Sequence, residues 1–105
     1  MFGWLFAGRR QPEEVGRSGQ WARVRREHLT KEPACIACGR TTDLEVHHVQ
    51  SYHEHPELEL DPDNLCTLCG DPCHLVWGHF MAWTRINPTV REDAARYRAG
   101  LKAAT

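Results

Sequence analysis

The stretches Cys35-Ile36-Ala37-Cys38, Leu44-Glu45-Val46-His47-His48-Val49, Asn64-Leu65-Cys66-Thr67-Leu68 and Cys69-Gly70-Asp71-Pro72-Cys73-His74, in that order, decide how this chain folds. A cysteine pair with two or three residues between its members occupies one short turn that points two thiolates at a common centre, and two such pairs complete a tetrahedral zinc site. Cys35, Cys38, Cys69 and Cys73 are that quartet. Gly39 follows the first pair, where the knuckle needs a backbone of positive φ. Between the pairs, residues 44–49 alternate enough to form a strand, and residues 64–68 form a second, antiparallel to it. Neighbours on a strand point to opposite faces, so His47 and His48 are suited to two separate jobs.

Outward from this hairpin, Ser18 is placed to cap a helix ending at Leu29 or Lys31, with Trp21, Val24 and His28 at helical spacing and Pro33 beyond its end. Residues 51–63 read as a long polar loop, with Pro56 and Asp61-Pro62-Asp63 as turn chemistry. Asp71 and Pro72 suit the start of a helix from about Cys73 to about Trp83. Thr89 followed by Glu92 has the form of a capping box, opening a last helix to about Ala103. Residues 1–17, with Gly3, Gly8, Pro12 and Gly16, read as a loosely held arm whose Phe2, Trp4, Leu5 and Phe6 can dock onto the body. The expected fold is a small α+β domain over residues 18–105, with helices flanking a zinc-pinned hairpin.

A chain of 105 residues has room for one domain whose hydrophobic core alone is marginal, and a structural metal supplies the missing staple. Five cysteines is an odd count. The apolar opening, Met1 to Gly8, is too short for a membrane span or a secretory signal. Together these predict a reducing, cytoplasmic compartment, where cysteine pairs bind metal more often than they form disulfides. A net charge of −1 excludes a global cationic field. The distribution is informative: residues 9–31 hold Arg9, Arg10, Arg17, Arg23, Arg25, Arg26 and Lys31, and residues 85–102 hold Arg85, Arg91, Arg96, Arg98 and Lys102. Residues 43–63 carry seven carboxylates and no Lys or Arg. Basic ends around an acidic centre either track a phosphate backbone or are the solvated faces of two helices.

His47-His48, Asn64 and His74, bracketed by the two cysteine pairs, resemble the HNH endonuclease family, the ββα-metal or His-Me finger nucleases. His53, His55-Pro56-Glu57-Leu58-Glu59-Leu60-Asp61-Pro62, Asn64-Leu65, Gly78-His79, Trp83 and Asn87-Pro88 are similar to a subgroup of small HNH proteins of phages and bacteria, over about residues 18–90. The second knuckle departs from the commoner family form by one extra residue between its cysteines. The resemblance implies a ββα-metal core within about residues 33–83. It also implies a structural Zn2+ on Cys35, Cys38, Cys69 and Cys73, and a catalytic divalent ion (Mg2+, Mn2+, Ni2+ or Zn2+) on His47 and His74. His48 matches the general base, a task suited to imidazole because its ordinary pKa of about 6.5 lies near working pH. Asn64 matches the residue that orients that imidazole or ligates the metal. The implied reaction is hydrolysis of DNA by water attack, leaving 5′-phosphate ends, in a bacterium or phage. The DNA backbone would be held by Arg23, Arg25, Arg26 and the C-terminal Arg and Lys side chains.

Two assignments stay open at the level of sequence. His79 lies five residues past His74, about 140° away on a regular helix, so it bonds a backbone carbonyl at a helix end. With a wider local turn at Gly78, as in a π-bulge, it becomes a third ligand. Cys66 stands in CxxC spacing with Cys69 and competes with Cys73, but on a strand it faces the other way and the family residue there is apolar, so it reads as core. His28, His53 and His55 read as surface or loop-anchoring residues, and Trp77 and Trp83 as packing. The rival to the nuclease is a catalytically inactive, zinc-stabilised module that binds nucleic acid or protein.

Overall fold

The computed structural model describes residues 19–104. The arm with Phe2, Trp4, Leu5 and Phe6, and the expected cap Ser18, lie outside the described residues. The elements are α1 (Trp21–Lys31), β1 (Leu44–His48), 3-10 turns at Pro56–Leu58 and Pro62–Asn64, β2 (Leu65–Cys69), a π turn (His74–Gly78) and α2 (Val90–Ala104). β1 and β2 pair antiparallel, with Leu44 opposite Cys69 and His47 opposite Cys66. None of the described helices is long and apolar enough to cross a membrane.

A two-stranded ribbon is marginal alone, so both faces must be covered. On one face Val46 and Leu65 pack with Val24 of α1, joined by Trp21, Leu29 and Leu60. On the other, Cys66 and Leu68 pack with Val90 and Ala94 of α2 and with Cys35 and Ala37 of the knuckle. Every residue of β2 is therefore buried, including Thr67, whose hydroxyl donates to Glu32 O at 2.8 Å. α1 starts at Trp21, later than a Ser18 cap implies, and Gln20 at its N-cap makes no side-chain cap bond. His28 is not a surface residue: it lies on the buried face with Val24 and donates to Glu32 Oε1 at 2.9 Å.

Glu32 joins three elements. Its carboxylate accepts from Thr67 N of β2 at 2.9 Å and from Arg91 of α2 at 3.1 Å through each of two guanidinium nitrogens, besides His28 of α1. Burial opposes its ionisation, but the bonds from His28, Arg91 and Thr67 prevail and bring its pKa from the ordinary 4.5 down to about 2. A carboxylate held lower in the folded state stabilises fully above the unfolded pKa and loses that contribution as pH falls through the folded one. Glu32→Gln should thus lower stability at pH 7 by about 1–2 kcal/mol, a figure reduced for solvent screening of a partly exposed group. In urea titrations the gap between variant and wild type should close as pH falls from about 4.5 toward 2.

The helix expected from Cys73 to Trp83 is instead a single wide turn. Its end has a cause downstream: Asn87 donates from its backbone N to Gly78 O (2.9 Å) and from Nδ2 to Trp77 O (2.8 Å), taking carbonyls that a continuing helix would use. The chain then reverses through Phe80 and Met81, with φ of 51° and 70°, a left-handed backbone that costs non-glycine residues about 1–2 kcal/mol each. The expected Thr89–Glu92 capping box is replaced by a different set of bonds. Asp93 accepts from Asn87 Nδ2 (2.9 Å) and Thr89 Oγ1 (3.1 Å), so the first acid in reach of the cap is one residue further on.

Candidate metal centres

The knuckle is shaped by backbone bonds before any ion is considered. Cys35 N donates to Arg40 O at 2.8 Å, Gly39 N to Cys35 O at 2.9 Å, and Ile36 N to Thr67 O at 3.0 Å, which ties the turn to β2. Gly39 has φ 83°, as the knuckle requires. The four Sγ atoms of Cys35, Cys38, Cys69 and Cys73 lie within 4.8 Å of one another, and Cys38 and Cys69 are 3.9 Å apart. A tetrahedron of thiolates on zinc has edges of about 3.8 Å, whereas a disulfide would need about 2.05 Å. All five cysteines are free thiols. Burial opposes ionisation of Cys35, but N–H groups of Cys38, Cys69 and Ala37 pull its thiol below the ordinary value. Cys38 and Cys73 are pushed up, each first by burial and then by neighbouring sulfurs. The quartet resists becoming four thiolates unless a cation is among them, and its donor set fits zinc. Cys66 is not among the four converging sulfurs but packs in the same core cluster as Cys35; burial raises its pKa to about 12, so it stays a neutral core thiol.

The second centre is built from imidazoles. His47 comes from β1, His74 from the first residue of the π turn, and His79 from just beyond its end. His47 Nδ1 is 3.0 Å from His74 Nε2, and His79 Nε2 is 3.2 Å from the same atom. The wide turn makes up the rotation that a regular helix would leave between His74 and His79. His79 lies in the cluster, and its Nδ1 bonds Arg85 O at 2.6 Å. His74 Nδ1 likewise donates to Glu45 Oε1 at 2.6 Å. With both Nδ1 protons committed, His74 and His79 turn their Nε2 lone pairs toward each other, an arrangement a cation relieves. The separations are close to the edge of about 3.3 Å for imidazoles on zinc, and the donors suit a first-row divalent ion. Burial, followed by the charges of His74, His79 and His48, pushes the His47 pKa well below its ordinary value, leaving the neutral ring that ligation needs. Gly78 permits the close packing: a Cβ there would sit 2.9 Å from His47 Cε1.

Glu45 was not among the candidate residues from sequence. Its signal was present, because it stands two positions before His47 on one face of β1. A carboxylate on the far nitrogen of a ligating histidine fixes its tautomer and raises its basicity. Glu45→Gln should therefore weaken divalent-ion binding by about 10–100-fold while leaving the cysteine-bound metal in place, as calorimetry with Mn2+ or Ni2+ would register. Trp83 also falls elsewhere than expected. It is 38% exposed, and its ring lies 4.9 Å from that of His79 and 5.2 Å from that of His74. Trp77, by contrast, is packing, against Tyr97 at 5.0 Å.

His48 faces away from the cluster, as the strand period requires. It is fully buried, stacked on Trp21 with ring centroids 4.8 Å apart, and its Nε2 bonds Glu59 O at 2.8 Å. Asn64 is not among the imidazoles. Its Oδ1 accepts from Gln50 N (2.8 Å), and its Nδ2 donates to Gln50 O (3.1 Å) and Leu58 O (3.3 Å), pinning the loop that carries Glu59. Of the basic residues, Arg23 pairs with Glu27 at 3.2 Å, Arg25 bonds Leu44 O at 3.4 Å, Arg91 is held by Glu32, and Arg26 is exposed.

Comparison with curated proteins and with solved structures finds no match to this chain. Comparison with family models finds one: residues 35–76 match HNH endonuclease, a span that opens at Cys35 and takes in β1, β2, Cys73 and His74. The hairpin and the four-cysteine cluster both lie inside that span, so over residues 35–76 the chain is similar to the HNH endonuclease family.

Proposed function

We propose that this chain is a metal-dependent endonuclease that hydrolyses phosphodiester bonds of DNA, with zinc on the four cysteines and a catalytic divalent ion on His47, His74 and His79. The observation that carries the reading is the convergence of three imidazoles, two of them with Nδ1 protons committed to Glu45 and Arg85 O. A divalent ion there supplies positive charge for the phosphate and its leaving oxygen. His48, whose Nε2–H is held by Glu59 O, would act as the general base that takes the proton of an attacking water. Asn64 serves that step indirectly, by pinning the loop that presents the Glu59 carbonyl. The imidazole is fully buried and stacked on Trp21, so catalysis on this reading requires the cover over His48 to open to water. Arg26 and basic side chains of α2 would hold the backbone without reading bases.

The burial of His48 also favours a second reading, an inactive zinc-stabilised binding module. Plasmid cleavage with added Mg2+, Mn2+ or Ni2+ separates the two. A cysteinate site holds zinc more tightly than an open imidazole site holds its ion. Mild chelation should therefore stop cleavage with little change in circular dichroism or thermal midpoint, and added Mg2+ or Mn2+ should restore it without refolding. If activity and fold vanish together at every chelator concentration, with one metal per chain, the binding module is the correct reading.

A further inference from the structure

The loop leaving the π turn carries two large apolar side chains into water. Phe80 and Met81, at φ 51° and 70°, are 45% and 66% exposed, while His79 beside them is 0% exposed. Successive non-glycine residues keep this left-handed backbone only where surrounding bonds fix it. Here Met81 N donates to Leu75 O (2.9 Å), Ala82 N to His79 O (3.0 Å) and Arg85 Nη1 to Phe80 O (3.4 Å). An exposed apolar pair thus stands two residues before Trp83, whose ring lies against those of His74 and His79. Residues 72–91 contain no carboxylate, and their cations are Arg85 and Arg91.

We propose that Phe80 and Met81 form a wedge that enters the minor groove of duplex DNA and parts a base step next to the histidine centre. The inference rests on the nuclease reading for the identity of its partner. Phe and Met are among the apolar side chains that unstack base steps and kink a duplex toward the major groove. Arg85, bonded to the carbonyl of Phe80, puts a cation at the base of the wedge, where the negative potential of a narrow groove favours it. A convex tip of one ring and one thioether suits insertion, whereas single strands are bound on rows of flat aromatic platforms. A stretch without carboxylates suits a polyanion better than the mixed charges of a protein surface.

The test uses the full zinc-loaded chain and the double variant Phe80→Gly/Met81→Gly, in which glycine keeps the positive φ and removes both side chains. The variant's thermal midpoint should equal or exceed that of the wild type. The probe is a short duplex with 2-aminopurine at a flexible TpA step, without added divalent ion so that it stays intact. The wild type should raise the fluorescence severalfold. The variant should abolish that rise and bind the duplex about tenfold more weakly, with unchanged affinity for the single strand. No rise with the wild type, or an equal rise with both proteins, overturns the wedge. An equal loss of single-strand affinity also overturns it and makes Phe80 and Met81 stacking residues. A wild type that unstacks the duplex but cuts no plasmid with Mg2+, Mn2+ or Ni2+ supports the wedge and overturns the nuclease reading.

Discussion

Replacing Cys35 or Cys73 by serine is expected to release the zinc and unfold the domain at room temperature. Structural zinc in small domains contributes about 10–16 kcal/mol of apparent binding free energy, against a net domain stability of about 5–15 kcal/mol. The core here is split across the two faces of a two-stranded ribbon, and the knuckle residues Cys35 and Ala37 are part of one half. The four sulfurs lie in that half, so its packing should depend on the quartet holding an ion. Cys66→Ser should keep the zinc and cost about 1–3 kcal/mol, because it buries a hydroxyl in place of a neutral thiol. Elemental analysis and circular dichroism on the three variants decide the matter: zinc lost from Cys66→Ser but kept by Cys73→Ser would reverse the ligand assignment.

The next largest effect belongs to His48. Its replacement by alanine should lower cleavage by about 10²–10⁴-fold, the usual worth of a positioned general base, while zinc content and DNA affinity hold. His47→Ala should instead abolish divalent-ion binding, since His47 contributes one of the three converging imidazoles. Calorimetry with Mn2+ or Ni2+ on both variants tests the division of labour. Binding lost from the His48 variant and kept by the His47 variant would exchange the two roles.

The cysteine quartet and the opposition of His47 and His48 were legible in the sequence because each rests on a local rule, the reach of a short turn and the two-residue period of a strand. Features that depend on distant partners were not. The helix expected at residues 73–83 stops where Asn87 takes the carbonyls of Trp77 and Gly78, and no window around the π turn contains that information. The role of Asn64 was legible only as a pair of alternatives, orienting an imidazole or ligating a metal. The side chain reaches a backbone loop, and its link to His48 runs through the Glu59 carbonyl. Trp83 reads as core by composition alone. Its position over two histidines follows from the chain reversal at Phe80 and Met81, which carry none of the glycine that usually marks such a backbone.

The π turn lets two histidines meet across an interval that a regular helix would hold apart. On a regular helix, side chains four apart share a face, and one inserted residue would rotate the second out of reach. Between His74 and His79 the extra residue is absorbed by widening the turn, so the imidazoles still meet. The width of the turn, and not a four-residue interval, is what brings the two rings together.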